Sequence, residues 1–238
     1  MLAFVVFAGQ SNAVGFGMTP DLLPAVSQAI HWGTYIWNQD AGGFEVMIPG
    51  VNTGTAGCPQ AWGPEVAYAE AFRRDHPDEP LYIVKSAKGS TGLAQDDAHL
   101  DWSPASEGEL FDLTADEIQA ARAAAGGPPV DAVMLMQGEQ DAFDAVAAAA
   151  YADNLRDWLT AIRAEWMDEP DGHIVIGRIN DDAPVYADVV RQAQALVDAE
   201  DPHAMSVETS HLAMQADQIH YAADSYMRIG QGLYDAWF

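Results

Sequence analysis

The chain has 238 residues, 49% of them hydrophobic, enough for one sizeable core and short for two independent ones, so one domain over residues 1–238 is expected. Thirty-six Asp and Glu stand against 10 Lys and Arg, a net charge of −26 with Lys85 and Lys88 as the only lysines. Such a diffuse negative field repels phosphate, which argues against nucleic-acid and anionic-membrane partners and suits a strongly solvated surface. A single cysteine, Cys58, excludes an internal disulfide and a thiolate metal cage.

Residues 2–8, LAFVVFA, form an uninterrupted apolar run that reads as a buried strand. The run lacks the basic start of a secretion leader and passes straight into Gly9-Gln10-Ser11-Asn12. Residues 31–59, rich in Gly, Thr and aromatics, are expected to be irregular. Pro64 fits the first turn of a helix over 65–74, and a strand follows at 81–86. A second irregular stretch, 95–113, precedes Thr114-Ala115-Asp116-Glu117, whose capping-box spacing predicts a helix opening there and closing before Gly126-Gly127-Pro128-Pro129. Beyond it come a strand at 132–136 and an Ala-rich helix over 145–166, with Leu155, Trp158, Leu159 and Ile162 on one face. A strand at 174–179, a helix over 184–199, a strand at 203–207 and a helix over 222–237 complete the pattern. No run approaches the ~20 apolar residues of a membrane helix. With neither leader nor span in these residues, the compartment is left open among the inside of a cell (cytoplasmic), its outside and, if viral, the virion.

Alternation of strands and helices predicts an α/β protein, a three-layer α/β/α sandwich around a five-stranded parallel sheet. Ligands of such sheets gather beyond the carboxyl ends of the strands. Those exits are polar here: Gly9-Gln10-Ser11-Asn12, Lys88-Gly89-Ser90-Thr91-Gly92 and Gln137-Gly138-Glu139-Gln140-Asp141, with Asp217-Gln218-Ile219-His220 after the last strand.

A serine hydroxyl needs a base to take its proton and an acid to hold that base in the right tautomer. Asp217 and His220 can supply both, because a three-residue offset brings a carboxylate to Nδ1 and leaves Nε2 for Ser11. The backbone amides of Ser11 and Gly89 and the side-chain amide of Gln137 are candidate oxyanion donors. Each element has a plainer reading. Ser11 and Asn12 suit a helix cap, Gly89 and Gly92 suit tight turns, and Asp217 with His220 can cap the last helix. Gly9-Gln10-Ser11-Asn12-Ala13 lacks the second glycine of an α/β-hydrolase elbow. His31, His76, His99, His173 and His203 show no metal-ligand spacing, so no metal or cofactor is expected.

The ordered set "FAGQSNAVG", "WGPEVAYAEAF", "VKSAKGSTGL", "MLMQGEQDA" and "DQIHYAADSYMRIG" resembles the SGNH hydrolases, in the carbohydrate-esterase branch with sialate O-acetylesterases and acetylxylan esterases. The resemblance runs nearly end to end and implies a flavodoxin-like SGNH fold. It implies Ser11 as nucleophile, Gly89 as an oxyanion amide, His220 as base and Asp217 as the carboxylate that orients it. Gln137 replaces the Asn of the wider superfamily, which leaves Glu139 as an alternative or supporting carboxylate for His220. Gln140 stands where the branch more often has Ser. The implied substrate is an acetylated carbohydrate, contacted by Gln10, Asn12, Trp37 and Trp102. Trp32, Tyr35 and Trp62 are further aromatics expected to border the cleft, since sugar rings stack on such faces. A sugar-binding module without chemistry and a lipase or thioesterase of the same superfamily are the competing functions.

Overall fold

The computed structural model describes residues 2–96, 98–181 and 184–238. Strand β1 (Ala3–Gly9) is buried at every position, as a central parallel strand covered on both faces must be. Its period of two divides the core: Phe4, Val6 and Ala8 face one hydrophobic cluster, and Ala3, Val5 and Phe7 face the other. The remaining strands are β2 (His31–Asn38), β3 (Gly43–Met47), β4 (Leu81–Ala87), β5 (Ala132–Met136), β6 (His173–Gly177) and β7 (Ala204–Val207). They form one seven-stranded sheet in the order β3-β2-β4-β1-β5-β6-β7. Gly9 is in register with Ala87 on one side and Met136 on the other, so the carboxyl ends of the three middle strands share one edge.

Helices α2 (Glu65–Asp75) and α6 (Ala223–Trp237) cover one face through Phe72, Ile229 and Leu233. Helices α3 (Leu110–Ala124), α4 (Ala145–Ala161) and α5 (Ala187–Glu200) cover the other through Ile118, Leu155 and Val190. The three layers are therefore as expected, but the sheet is neither five-stranded nor purely parallel. The added strands, β2 and antiparallel β3, come from the stretch expected to be irregular. Gly33 and a half-exposed edge break the alternation there, and the hairpin closes on Asn38, whose Oδ1 accepts the Ala41 amide at 3.0 Å.

Two further boundaries differ from expectation. Helix α3 opens at Leu110 rather than Thr114, because Leu110 and Phe111 are buried in the core. Thr114 caps nothing, and its hydroxyl meets Ser86 Oγ at 2.6 Å inside the protein. Helix α4, capped by Asp144 on the amides of Val146 and Ala147, passes after Ala161 into a π-helical turn at Ile162–Met167 that points Trp166 inward. Among the described residues no helix is long and apolar enough to cross a membrane.

Candidate active site

Ser11 opens the one-turn helix α1 (Ser11–Val14) directly beyond β1. Two glycines make this placement possible. At Gly9 (φ 135°) a Cβ would lie 2.1 Å from the Met136 carbonyl oxygen, and at Gly15 (φ 82°) it would lie 1.8 Å from that of Trp62. The chain thus turns tightly against β5, with the Gln10 amide donating to Met136 O at 2.9 Å. Ser11 emerges at the shared carboxyl edge of the sheet, 7% exposed.

His220 reaches the same point from the loop between β7 and α6. Gln218 adopts a left-handed conformation (φ 57°), which curls the loop around Asp217. Asp217 Oδ1 accepts the Ile219 and His220 amides at 2.9 and 3.0 Å, and Oδ2 meets His220 Nδ1 at 2.7 Å. Because a carboxylate only accepts, Nδ1 carries the proton and Nε2 is left as acceptor for the Ser11 hydroxyl, 2.9 Å away. Partial burial pushes the Asp217 carboxyl upward, but the hydrogen bonds from His220 and Ile219 outweigh it and hold it below the usual carboxylate range. A hydroxyl, an imidazole and a carboxylate are therefore linked in series, an order suited to proton withdrawal from the hydroxyl.

Glu139 does not join this chain. Its Oε2 accepts Gln10 Nε2 at 2.6 Å and its Oε1 accepts Asn12 Nδ2 at 2.5 Å. Burial pushes the Glu139 carboxyl up to about 7, against the opposing hydrogen bond from Asn12. Asn12 also donates to Ile219 O at 3.0 Å and accepts the Tyr226 hydroxyl at 2.7 Å, while Gln10 Oε1 accepts the Gln140 amide at 3.1 Å. Gln10 and Asn12 are 2% and 0% exposed, so both are braces of the loops rather than surfaces for substrate, contrary to expectation.

Gly89 lies beside Ser11. Its backbone faces Ser11 closely enough that an added Cβ would stand 3.5 Å from Ser11 Cβ, and the preceding Lys88 amide is pinned to Gly9 O at 2.9 Å. Gln137 departs from expectation. Its side-chain amide spends both protons internally, on Thr91 O at 3.2 Å and Asp141 Oδ2 at 2.7 Å, so no donor remains for an oxyanion. Asp141 in turn accepts the Leu93 and Ala94 amides, tying the loop after Gly89 to the exit of β5. The sequence displayed Asp141 in the third exit block without marking it as this anchor.

The aromatics are also redistributed. Trp102 is fully buried, its Nε1 donating to Thr91 Oγ1 at 2.9 Å and its ring packed 5.6 Å from that of Trp158. Trp37 packs edge-on to Phe44 with ring centroids 5.2 Å apart and is 9% exposed, which leaves little ring face for a sugar. Trp62 is buried, and Tyr35 stacks on Tyr82. Trp32 is exposed but precedes Thr34, the partner of Leu81 at the start of β4, and so lies at the end of the sheet away from Ser11. The aromatic that does reach the site is Phe16, whose ring lies 4.4 Å from that of His220. Two cavities adjoin the carboxyl edge. One of about 500 Å³ includes Asn38, Asp40, Glu45, Ser86 and Glu117. The other, about 510 Å³, includes Ser90, Asp96, His99, Gln140 and Asp144.

Comparison with known proteins adds an independent finding. A family model described as carbohydrate esterase, sialic acid-specific acetylesterase, matches residues 2–238. No protein of curated function matches the chain in sequence. The fold is similar to that of a protein from Arabidopsis thaliana, 21% identical, with a TM-score of 0.83 over 100% of this chain and 98% of that one. It is also similar to a carbohydrate acetylesterase from Xanthomonas citri, 16% identical, with a TM-score of 0.70 over 98% of this chain and 55% of that one. A member of the lipolytic G-D-S-L family from Veillonella parvula, 10% identical, aligns with a TM-score of 0.54 over 98% of this chain and 97% of that one. With residues 2–238 matched by that family model, the chain belongs to the carbohydrate esterase, sialic acid-specific acetylesterase family, a family of carboxylic ester hydrolases.

Proposed function

We propose that the protein is a serine esterase that removes O-acetyl groups from carbohydrates through an acyl-enzyme on Ser11. The observation that carries this reading is the hydrogen-bonded series Asp217–His220–Ser11, closed at 2.7 and 2.9 Å. His220 Nε2 takes the Ser11 proton as Oγ attacks the acetyl carbonyl, and the resulting oxyanion is met by the Ser11 and Gly89 amides. The first amide of a helix has no partner within it, which keeps that of Ser11 free for this purpose. Collapse of the tetrahedral intermediate breaks the ester bond, and the imidazolium returns its proton to the departing sugar hydroxyl. Water then enters, gives its proton to His220 and releases acetate, restoring the Ser11 hydroxyl.

Acetate release from acetylated xylan and from O-acetylated sialic acid, compared between the native protein and Ser11→Ala, tests the assignment. The expected result is release by the native protein on at least one substrate and a loss of about 10³-fold or more in the variant. Equal release by the two proteins would remove Ser11 from the chemistry, and sugar binding without release by either would favour a non-catalytic module.

A further inference from the structure

Phe16 follows α1 and stands between two left-handed glycines, Gly15 (φ 82°) and Gly17 (φ 79°). Its backbone is nevertheless tied down on both sides of the site. The Phe16 amide donates to Ser11 O at 3.0 Å, and its carbonyl accepts Gln215 Nε2 at 2.8 Å. Gln215 also donates its own amide to His220 O at 2.7 Å. The residue therefore links the segment that carries the hydroxyl to the segment that carries the imidazole. Its side chain continues that link, with the ring tilted 33° over His220 at a centroid separation of 4.4 Å. Phe16 is 44% exposed, so the arrangement covers one face of the imidazole without burying Phe16 in the core.

The two hydrogen bonds of His220 act at the ring edge, on Nδ1 and Nε2, and leave the faces of the ring unconstrained. Contact with an aromatic face supplies the missing restraint and opposes an outward swing of the imidazole into solvent. The same face also gains attraction when the imidazole becomes charged, because an aromatic quadrupole stabilises a cation lying over it. That gain exists only after proton transfer, so it acts on the rate rather than on substrate affinity.

We propose that Phe16 is a positioning residue for His220, its ring holding the imidazole on Ser11 and steadying the imidazolium formed during acyl transfer. The inference rests on the Ser11–His220 chemistry proposed above. It assigns to Phe16 no contact with the sugar.

The test compares steady-state acetate release by native protein, Phe16→Ala, Phe16→Leu, Phe16→Tyr and Ser11→Ala, on a substrate the native protein turns over. The Ala and Leu variants are expected to lower kcat about five- to twenty-fold with KM changed less than about two-fold, and Tyr to restore kcat to within about two-fold of native. Leu is the informative variant, since it retains apolar bulk but has no ring face. A native kcat in Phe16→Leu, or a raised KM with native kcat in Phe16→Ala, would overturn the positioning role. In those cases an inactive Ser11→Ala leaves the esterase assignment standing, whereas an active Ser11→Ala removes both. Denaturation midpoints of the Phe16 variants close to native establish that lowered rates are not a loss of folded protein.

Discussion

Asn12 and Glu139, 127 positions apart in the chain, meet at 2.5 Å beneath the loops that carry Ser11 and His220. The contact bears on His220 because Asn12 passes its other N–H to the carbonyl of Ile219, the preceding residue. Only an acceptor-only group can take both Gln10 Nε2 and Asn12 Nδ2 at once. Glu139→Gln is therefore expected to turn one N–H against another, lowering kcat/KM about 10- to 100-fold and stability by about 1–3 kcal/mol. Kinetics and urea denaturation of the variant check this, and native values in both would show that the brace is dispensable.

Asp217→Asn preserves an oxygen for the Ile219 and His220 amides but presents N–H to Nδ1. The imidazole then carries its proton on Nε2 and can no longer accept from Ser11. A fall in kcat of about 10³- to 10⁴-fold is expected with the fold intact. A variant that keeps more than a tenth of native kcat would transfer the orienting role away from Asp217.

Lys85 and Glu65 form an ion pair at 2.8 Å, with side chains only 3% and 0% exposed. Burial lowers the Lys85 pKa, and Glu65 opposes that. The ammonium also donates to Val14 O and Thr53 O, clamping the end of the Ser11 helix to the segment after β3. Lys85→Met strands the Glu65 carboxylate and is expected to cost about 3–5 kcal/mol, with part of it recovered in Lys85→Met/Glu65→Leu. Denaturant midpoints of the single and double variants decide the matter, and a loss below about 1 kcal/mol in the single variant would mean that water relieves the charge.

Glu117 gives stability a pH dependence. Burial pushes its carboxyl up to about 7, against a hydrogen bond from Ser86. The native chain thus keeps a proton that the unfolded chain has already released, so this contribution is full at low pH and declines as pH rises through about 7. Glu139 shifts in the same direction, and the comparison with Glu117→Gln isolates one group. The native protein should lose about 3 kcal/mol relative to Glu117→Gln between pH 4.5 and 7.5. Parallel stability curves over that range would refute the shift.

The middle of the sheet was legible because β1, β4 and β5 are apolar runs whose polar exits follow at once, and a strand buried on both faces has few other ways to be written. The serine, the imidazole and its carboxylate were legible for the same reason, as polar residues just past such runs or just before a closing helix. Strands β2 and β3 were not, since an edge hairpin with one wet face dilutes its own pattern. The capping-box spacing at Thr114 misled because an interior hydroxyl can satisfy Ser86 as well as a helix terminus. Trp37, Trp102, Gln10, Asn12 and Gln137 carry side chains fit to meet a sugar or an oxyanion. Gln10, Asn12 and Trp102 are turned inward by partners more than ten residues distant, and Trp37 and Gln137 by Phe44 and Asp141 across a hairpin and a turn, none of which the apolar pattern records.

The central position of β1 and the late arrival of His220 set an order of events during synthesis. Ser11 leaves the ribosome 209 residues ahead of His220, directly after the strand that β4 and β5 later flank. On the proposed mechanism, a nascent chain with its inner strands assembled stays chemically silent until His220, just ahead of α6, has joined Ser11. On that mechanism, release before His220 yields an inert particle rather than a weak esterase.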